Sequence, residues 1–344
     1  MAQDDDKSLS SKARVTLHDV AREAGVSKST VSRMLDERLP KSDSETAARV
    51  RRIAREMGYV RDVAAASLRR GSTGMIGVIV PRLTDTVMAM LYEALARAAA
   101  RAGQFAIVAT TDDDPEADRR AAEALLQRGV DGLILSTARE GSDFTRDLTE
   151  RGVRHVLALR HDGDSLAAVG DDRLGGYLAT RHLIDLGHRD IALLTGPEYA
   201  SSARGRAEGF RRAMTEASLP IRPELLAPST FSIESGAEAA AYLMELQHPP
   251  SAIFAINDNT AIGALSALAK RGIAVPGDVS LVGYNDIPIV SRLPIPLTTV
   301  RVPFDQIATA ALELFLADEP PARERMRVVA PTLIPRQSTA RHDR

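Results

Sequence analysis

The stretch VTLHDVAREAGVSKSTVSR, residues 15–33, has the pattern of two short helices joined by a tight turn. Thr16 can cap the first helix, and Asp19 lies in its first turn, where the positive end of the helix dipole favours a carboxylate. One apolar stripe at three- and four-residue spacing consists of Leu17, Val20, Ala21 and Ala24. Gly25 can adopt the positive φ that the turn needs, and Ser27 can cap a second helix.

The second predicted helix has one apolar face and one polar face. Val31 and Leu35 face inward in this pattern. The outer face carries only hydroxyl groups and cations, namely Lys28, Ser29, Thr30, Ser32 and Arg33. Such a helix fits the major groove of DNA. A helical hairpin with a solvated charged face is the alternative, but the glycine turn and the serine cap favour contact with DNA.

The distribution of charge supports this prediction. The chain has 344 residues, of which 44% are hydrophobic and 26% charged, as in a soluble globular protein of two or three domains. Its net charge of −2 conceals an asymmetry. Residues 12–70 hold 14 Lys and Arg against 8 Asp and Glu, whereas residues 71–344 hold 29 against 35. A basic head on an acidic body indicates that one end meets a polyanion.

Several classes of protein are disfavoured by what the sequence lacks. It has no cysteine, which removes disulfides, thiolate chemistry and cysteine-ligated zinc, and it has no apolar run of the roughly 18 residues that a membrane span needs. The first residues have no apolar core, so we expect no signal peptide and a cytoplasmic location. Nucleotide-binding, hydrolase and zinc-protease motifs are missing. We therefore expect no enzyme, no cofactor, no metal and no membrane contact.

The N-terminal part of the chain divides into three predicted segments. Residues 1–13 are expected to be disordered, and residues 14–60 to form a helix-turn-helix domain whose third helix begins at Ser42 or Ser44. Residues 61–74 are a hinge helix and linker, too short to be stable alone. Leu68, followed by two arginines, is a candidate wedge for the minor groove, with a plain linker helix as the alternative.

From Met75 onward, short apolar strands alternate with helices. This pattern predicts an α/β core over residues 75–335, built as two lobes of doubly wound parallel sheet, followed by a tail over residues 336–344. Ligands of such folds bind beyond the carboxyl ends of the strands. One cleft is therefore expected from the loops that follow residues 80, 110, 136, 160, 196, 256 and 284. The run Asp112–Asp114 lacks the glycine and final glutamate of a calcium loop, which favours a solvated loop.

Motifs over residues 14–340 resemble the lactose/galactose repressor family of bacterial transcription regulators. Residues 15–33 match the N-terminal signature of that family, and LRRGSTGMIGVIV is similar to its hinge-to-core junction. Further motifs follow in the family's order: LGHRDIALLTGP, RAEGF, INDNTAIGA, DVSLVGYND and LTTVR. The resemblance implies a homodimer or tetramer, a core like a periplasmic sugar-binding protein, and a hinge helix that orders on operator DNA.

The resemblance also assigns roles to residues of the head. Lys28, Ser29 and Arg33 correspond to base-contacting positions, and the fork of Arg33 suits guanine O6 and N7. Phosphate contacts are implied for Thr16, Ser27, Thr30 and Ser32. Leu68 matches the hinge wedge of the family.

A candidate effector site in the core follows from the same resemblance. Arg206, in the motif RAEGF, matches the effector-binding arginine, whose planar fork suits paired hydroxyls or a carboxylate. The candidate set is Asp85, Asp171, Arg206, Phe231, Asn257, Asp258 and Asn285. A plain helix cap is the alternative for Asp258, and it is open whether Asp171 or Asp172 faces the pocket. Tyr199, like Phe231, is a loop aromatic that could stack on a ring.

Two departures from the family bear on the effector. The sequence TDTVM, residues 84–88, stands where many relatives carry Asn-Pro and an aromatic pair, and Asn285 stands where they usually carry aspartate. Both changes argue against a standard hexose, and neither identifies a replacement.

The leading hypothesis is a repressor that binds a pseudo-palindromic double-stranded operator as a homodimer. A small polar metabolite, a sugar or sugar derivative, would control its affinity for the operator. A periplasmic-type binding protein without a DNA role is the alternative, but it leaves the basic head unused. The sequence does not reveal which effector binds, whether the effector strengthens or weakens binding to DNA, or which operator sequence is bound. The C-terminal residues have no leucine heptad, which favours a dimer over a tetramer.

Overall fold

The computed structural model describes residues 15–36, 42–59, 72–318 and 325–342. These residues fall into two compact units that divide between Thr73 and Gly74. No helix in the described ranges is long and apolar enough to cross a membrane.

The first unit contains three helices: α1 (Leu17–Ala24), α2 (Lys28–Met34) and α3 (Glu45–Glu56). Thr16 and Asp19 form a reciprocal capping box on α1, and Gly25 ends that helix at φ 65°. Ser27 caps α2 and Ser44 caps α3, which settles the alternative between Ser42 and Ser44. A small core joins the helices and includes Val20, Ala21, Ala24, Val31, Val50, Ile53 and Ala54. The predicted helix pair and its apolar stripe are confirmed.

The second unit alternates strands and helices. Its strands are β1 (Met75–Val80), β2 (Phe105–Thr110), β3 (Leu133–Leu135), β4 (His155–Ala158), β5 (Ala167–Gly170), β6 (Ile191–Thr195), β7 (Leu226–Pro228), β8 (Ala252–Ala255), β9 (Ser280–Asn285), β10 (Thr298–Arg301), β11 (Met326–Val329) and β12 (Thr332–Ile334). Its helices are α4 (Thr86–Arg101), α5 (Pro115–Gln127), α6 (Asp143–Glu150), α7 (Asp172–Asp185), α8 (Ser201–Glu216), α9 (Ile233–Met244), α10 (Asp258–Lys270) and α11 (Phe304–Leu316).

Two six-stranded sheets confirm the predicted pair of doubly wound lobes. The first lobe has the strand order β11-β5-β4-β3-β1-β2 and is parallel throughout. The second lobe has the order β12-β10-β9-β8-β6-β7, in which only the β10–β12 pair is antiparallel. The central strands β3, β4 and β8 are buried at every residue, as helices on both faces require.

The chain crosses between the lobes three times: after β5, after β10 and after β11. Helix α11 returns to the first lobe and packs on α4, β4 and β5. The sequence pattern does not predict α6, β10, α11, β11 or β12. Residues of β11 alternate between exposed and half-buried, so this edge strand lacks the apolar run of the central strands.

Residues 336–342, which the sequence analysis sets apart as a tail, pack on the second lobe. The Ser338 hydroxyl accepts from the Thr298 amide at 2.8 Å and donates to the Leu281 carbonyl. His342 stacks on His188 with 5.0 Å between ring centroids. Buried His188 also contacts the hydroxyls of Ser251 and Ser280, each at 2.9 Å. These contacts give His188 a structural role in holding the C-terminal segment.

Candidate functional sites

Helix α2 presents a polar outer face above its buried residue. Val31 is fully buried, whereas Lys28, Ser29 and Arg33 are exposed and Thr30 and Ser32 are half-buried. The burial pattern therefore leaves two cations and one hydroxyl accessible to a ligand, although the Ser29 hydroxyl also contacts that of Ser27 at 2.8 Å. Local capping produces this arrangement, because the Ser27 hydroxyl accepts from the amide of Thr30 at 3.2 Å and fixes where the helix begins.

A shallow depression of about 560 Å³ lies between α1 and the start of α2. Its lining consists of His18, Ala21, Arg22, Gly25, Val26, Ser27 and Lys28. His18 and Arg22 are additions to the predicted residues, and both are exposed. Arg22 pairs with Asp19 at 3.1 Å, and the Thr16 hydroxyl donates to the same carboxylate at 2.7 Å. Exposed groups of this kind can exchange their internal partners for phosphate oxygens.

The predicted wedge residue, Leu68, lies outside the described residues, together with most of the predicted hinge helix. The role of Leu68 therefore stays a prediction.

Loops from both lobes meet around the carboxylate of Asp113, which follows β2. Arg160, which follows β4, donates to both carboxylate oxygens at 2.9–3.1 Å. Tyr199, which follows β6 in the second lobe, donates its hydroxyl to Oδ2 of Asp113 at 2.9 Å. The side chains of Arg160 and Asp113 are 6% and 12% exposed. The side chain of Asp113 is therefore largely buried, contrary to the expectation of a solvated loop, whereas Asp112 and Asp114 of the same loop are exposed as expected.

A second guanidinium flanks the same aromatic ring. The Cζ atom of Arg139, which follows β3, lies 3.8 Å from the ring centroid of Tyr199. Arg139 also donates to the backbone carbonyl of Asp113, and its Nε atom is buried without a hydrogen-bond partner among the described residues. Arg160 lies 5.8 Å from the ring centroid of Phe231, which follows β7. We call Asp113, Arg139, Arg160, Tyr199 and Phe231 the interlobe cluster.

Arg206 of α8 is buried in the second lobe, where two of its three guanidinium nitrogens donate to neighbours. Its Nε donates to Asp172 at 2.8 Å and its Nη1 donates to the carbonyl of Ile256 at 2.8 Å. Its Cζ atom lies 3.8 Å from the ring centroid of Tyr284. Burial raises the pKa of Asp172 above its ordinary value although Arg206 lies beside it.

Of the two adjacent aspartates, Asp172 faces Arg206, whereas Asp171 is the N-cap of α7. The carboxylate of Asp171 accepts from the amide of Leu174 at 2.9 Å. Asp171, the residue in the candidate set, therefore caps the helix, and Asp172 is the one of the two that pairs with Arg206. Sequence spacing alone does not distinguish the two, because both stand at the start of the same helix.

Asn257 and Asp258 begin α10 and are both buried. Asn257 caps the helix through the amide of Thr260 and donates to the carbonyl of Phe231 at 3.0 Å. Asp258 is not the cap, because it accepts instead from the Thr299 hydroxyl at 2.6 Å and from the Ile287 amide at 2.8 Å. Burial raises the pKa of Asp258 to about 7. Both residues hold the second lobe together, and Asn257 in addition fixes the loop that carries Phe231.

Asp85 and Asn285 lie at two further strand ends. Asp85 caps α4 and accepts from the Asn259 amide group of the other lobe at 3.2 Å. Burial raises the pKa of Asp85. Asn285 is 3% exposed and has a φ of 108°, an unusual value for a residue other than glycine. The next residue, Asp286, pairs with Arg301 and Arg336.

The structure thus brings Arg206, Phe231 and Asn257 into one connected region and puts Asp85 on the interlobe boundary. The candidate set from the sequence lacks Asp113, Arg139 and Arg160. Their positions in the sequence could have identified them. Each follows a predicted strand by no more than four residues, and the loops at these strand ends are the ones expected to form the cleft. Among the described residues, no group of three His, Asp or Glu side chains could hold a metal ion.

Comparison with known proteins identifies both units. Residues 16–62 match the model of bacterial regulatory proteins of the lacI family, and residues 180–339 match a periplasmic binding protein-like domain. The chain is 35% identical over 299 residues to the HTH-type transcriptional regulator DegA of Bacillus subtilis, covering 86% of this chain and 88% of that protein. It is 33% identical over 331 residues to the ribose operon repressor of Escherichia coli, covering 94% and 99%.

The fold agrees with these matches. The crystal structure of the lac repressor dimer bound to operator and the anti-inducer ONPF aligns with a TM-score of 0.82 and 27% identity, over 95% of this chain and 99% of that chain. These relatives are a transcriptional regulator and two repressors, one of them solved as a dimer on its operator. From the helix-turn-helix head, the two-lobed core and these similarities, we conclude that the chain belongs to the lacI family of bacterial regulatory proteins.

Proposed function

We propose that this protein represses transcription by binding a pseudo-palindromic operator as a homodimer, and that a small polar metabolite bound between the lobes of the core controls its affinity for the operator. The proposal places the protein in the cytoplasm and gives it no catalytic activity. One observation carries it: a single chain joins the polar outer face of α2 to a two-lobed core with arginines at its interlobe boundary.

The exposed face of α2 has the chemistry for direct contact with bases. Arg33 can donate two parallel hydrogen bonds to guanine O6 and N7, while Lys28 and Ser29 lie one turn earlier on the helix. The hydroxyls of Thr16, Ser27, Thr30 and Ser32 suit phosphate oxygens and would fix the orientation of the helix. In this proposal Leu68 enters the minor groove at the centre of the operator.

The core would act as a two-state element. A ligand that prefers one arrangement of the lobes shifts the population toward it, and the shift changes how readily two heads occupy two half-sites. Similar solved structures support a sugar or a related metabolite, because one of them, a LacI family transcriptional regulator from Enterococcus faecium, contains bound ribose. Ligand can either release or strengthen DNA binding in this scheme.

The role of the head is tested by selecting double-stranded operators from a random library and measuring the Kd of the full chain on single-base variants. Arg33→Ala should lose about 1–3 kcal/mol of discrimination at one base position. Arg52→Ala is a matched control, since exposed Arg52 belongs to the same unit and its charge is already paired with Glu56 at 3.1 Å. Equal loss of affinity on every sequence would make Arg33 a phosphate contact, and failure to select any sequence would refute the proposal.

The role of the core is tested by thermal unfolding against a panel of sugars, sugar acids, sugar phosphates and nucleosides. A ligand at 100 times its Kd stabilises the folded state by roughly 2.7 kcal/mol, which is a clear shift in Tm. Arg206→Ala should abolish the shift given by the active compound. If Arg206→Ala responds like the wild type, the effector does not bind at Arg206.

A further inference from the structure

The interlobe cluster contains more positive than negative groups at the point where the lobes meet. Arg160 and Arg139 both lie against Asp113, but only Arg160 forms an ion pair with that carboxylate. Arg139 has no ion pair with any carboxylate of the described residues. Two further acids lie nearby: Asp118, whose pKa is raised to about 6 by burial, and Asp85, whose pKa burial also raises although the charge of Arg160 opposes the shift.

We propose that the effector is an anionic sugar derivative, a carboxylate or a phosphate ester, whose anion replaces the Asp113 carboxylate between Arg160, Arg139 and Tyr199. This inference rests on the proposed function, in which the boundary between the lobes holds an effector. It adds the chemical class of the effector and makes Asp113 an internal competitor for its site.

The geometry around Asp113 is that of an occupied anion site. Its carboxylate accepts hydrogen bonds from both terminal nitrogens of Arg160 and from the Tyr199 hydroxyl. Three donors from two lobes therefore converge on one anion. Bidentate guanidinium pairs of this kind recognise carboxylates and phosphates in general. The recognition is therefore not specific to an aspartate side chain, and a ligand with the same group can satisfy the same donors.

Because Arg160 is buried, the group that replaces Asp113 beside it must carry a negative charge. The Arg160 side chain is 6% exposed, and a buried guanidinium without a counter-charge is strongly destabilising. A neutral sugar that displaced Asp113 would leave Arg160 without its ion-pair partner. Among the described residues, neither Asp85 nor Asp118 forms an ion pair with Arg160 that could take its place, whereas a ligand with one negative group supplies a new partner.

Arg206 presents the opposite situation. Its buried guanidinium already has Asp172 as a counter-ion, so it requires no charge from a ligand. An arginine paired in this way can still direct N–H donors at neutral hydroxyls. The two arginine sites therefore favour a molecule with hydroxyl groups at one end and an anion at the other.

The backbone of the loop that carries Asp113 is strained. Release of the Asp113 side chain from Arg160 and Tyr199 would relieve that strain. Asp112 and Asp113 both lie in the left-handed region, at φ 54° and 63°. Consecutive non-glycine residues in this region are unfavourable and persist only where contacts enforce them. The ion pair with Arg160 and the bond from Tyr199 are such contacts, and the anion of a ligand would take both over.

The experiment measures sulfate and phosphate binding to the full chain by thermal unfolding at constant ionic strength, with chloride as the reference. Asp113→Ala empties the site, so sulfate should bind at least about tenfold more tightly than to the wild type. The double variant Asp113→Ala/Arg160→Ala should lose this gain, and because its DNA-binding head is unchanged it controls for anions bound there. Asp305→Ala, which removes one of the two carboxylates paired with exposed Arg97 and leaves Glu93 in place, is the control for an ordinary surface pair.

Asp113→Asn is the second variant should Asp113→Ala fail to fold, since the amide keeps the shape of the side chain. A sulfate response in either variant that disappears without Arg160 supports the proposal. A response equal to that of the wild type, or one that Asp305→Ala reproduces, overturns it.

Matched ligands test the class of effector directly. For each sugar in the panel, the neutral form, its acid and its phosphate ester are compared on wild type and Arg160→Ala. Binding of an anionic form that is weakened at least about tenfold by Arg160→Ala supports the proposal. Binding of a neutral sugar that Arg160→Ala leaves unchanged overturns it while leaving effector control intact. Operator binding is measured in parallel, so that loss of the proposed function itself would be seen separately.

Discussion

The hydroxyl of Tyr199 donates to the carboxylate of Asp113 at 2.9 Å, and this hydrogen bond links a loop of the second lobe to a loop of the first. The acceptor is at the same time the counter-ion of Arg160. Burial raises the pKa of Tyr199, and the adjacent charge of Asp113 adds to the effect, so the phenol stays protonated and remains a donor.

Tyr199→Phe removes this bond and keeps the ring. A hydrogen bond to a charged acceptor stabilises a fold by about 1.5–3 kcal/mol, and we expect a loss near the lower end because Tyr199 is only half-buried. Urea unfolding provides the measurement. Tyr92→Phe is the control, since Tyr92 donates to a carbonyl within the first lobe and its loss should be smaller. An unchanged free energy of unfolding for Tyr199→Phe would show that the bond does not stabilise the lobe contact.

Arg206 and Asp172 should behave as a coupled pair. Arg206→Met leaves Asp172 buried without a partner and should cost about 3–5 kcal/mol. The double variant Arg206→Met/Asp172→Asn should be clearly more stable than the sum of the two single losses implies. A double-mutant cycle of unfolding free energies measures the coupling. Strictly additive losses would mean that the two side chains do not stabilise each other.

Asp258 should make stability depend on pH. Its pKa is about 7 in the folded protein and near 3.8 in an unfolded chain, so the folded state binds more protons between those values. Stability should therefore fall as pH rises from about 4 to 7, by up to about 1.4 kcal/mol per pH unit from this group.

Asp258→Asn imitates the protonated form and should flatten that part of the profile. His188 acts in the opposite direction, because burial lowers its pKa to about 4 and its contribution rises with pH between about 4 and 6.5. Since both proteins contain His188, we compare the free energy of unfolding of Asp258→Asn with that of the wild type at each pH, measured by urea unfolding. A difference that is constant from pH 4 to 7 would contradict the titration of Asp258.

Gly176 sets how closely α7 and α8 approach. A Cβ atom at this position would lie 2.1 Å from the carbonyl oxygen of Arg206. Gly176→Ala should therefore destabilise the protein by about 1–3 kcal/mol or more, although alanine is the better helix former. It should also weaken effector binding, because the backbone of Arg206 must move. Arg181→Ala, on the exposed side of α7, is the control and should change stability by less than about 0.5 kcal/mol. A neutral Gly176→Ala would show that the helices can separate freely.

Local features of the fold could be predicted from the sequence because their causes are local. The caps Thr16 and Ser27 and the turn at Gly25 depend on residues within one helical turn, and the structure confirms all three. The central strands were predicted because both of their faces are buried, which makes their sequences continuously apolar. The edge strands β2 and β7 are predicted as well, whereas β10, β11, β12 and the helices α6 and α11 are not.

The site was harder to predict because it depends on how distant loops converge. Asp113 and Arg160 are 47 residues apart in the chain, and nothing in either loop indicates the other as its partner. The left-handed backbone at Asp112 and Asp113 is enforced by contacts and not by glycine, so the sequence favours an ordinary polar loop. Between Asp171 and Asp172, only the path of α7 decides which carboxylate reaches Arg206.

The most direct test of the account is the Kd of the full chain for its selected operator, measured with and without the active compound of the panel. Effector control through the core predicts a change of roughly 5- to 150-fold, in one direction, and the operator should change the affinity for the compound by the same factor. Arg206→Ala should keep operator binding and lose the change. An operator Kd that stays the same while the compound is bound would contradict control of the head by the core.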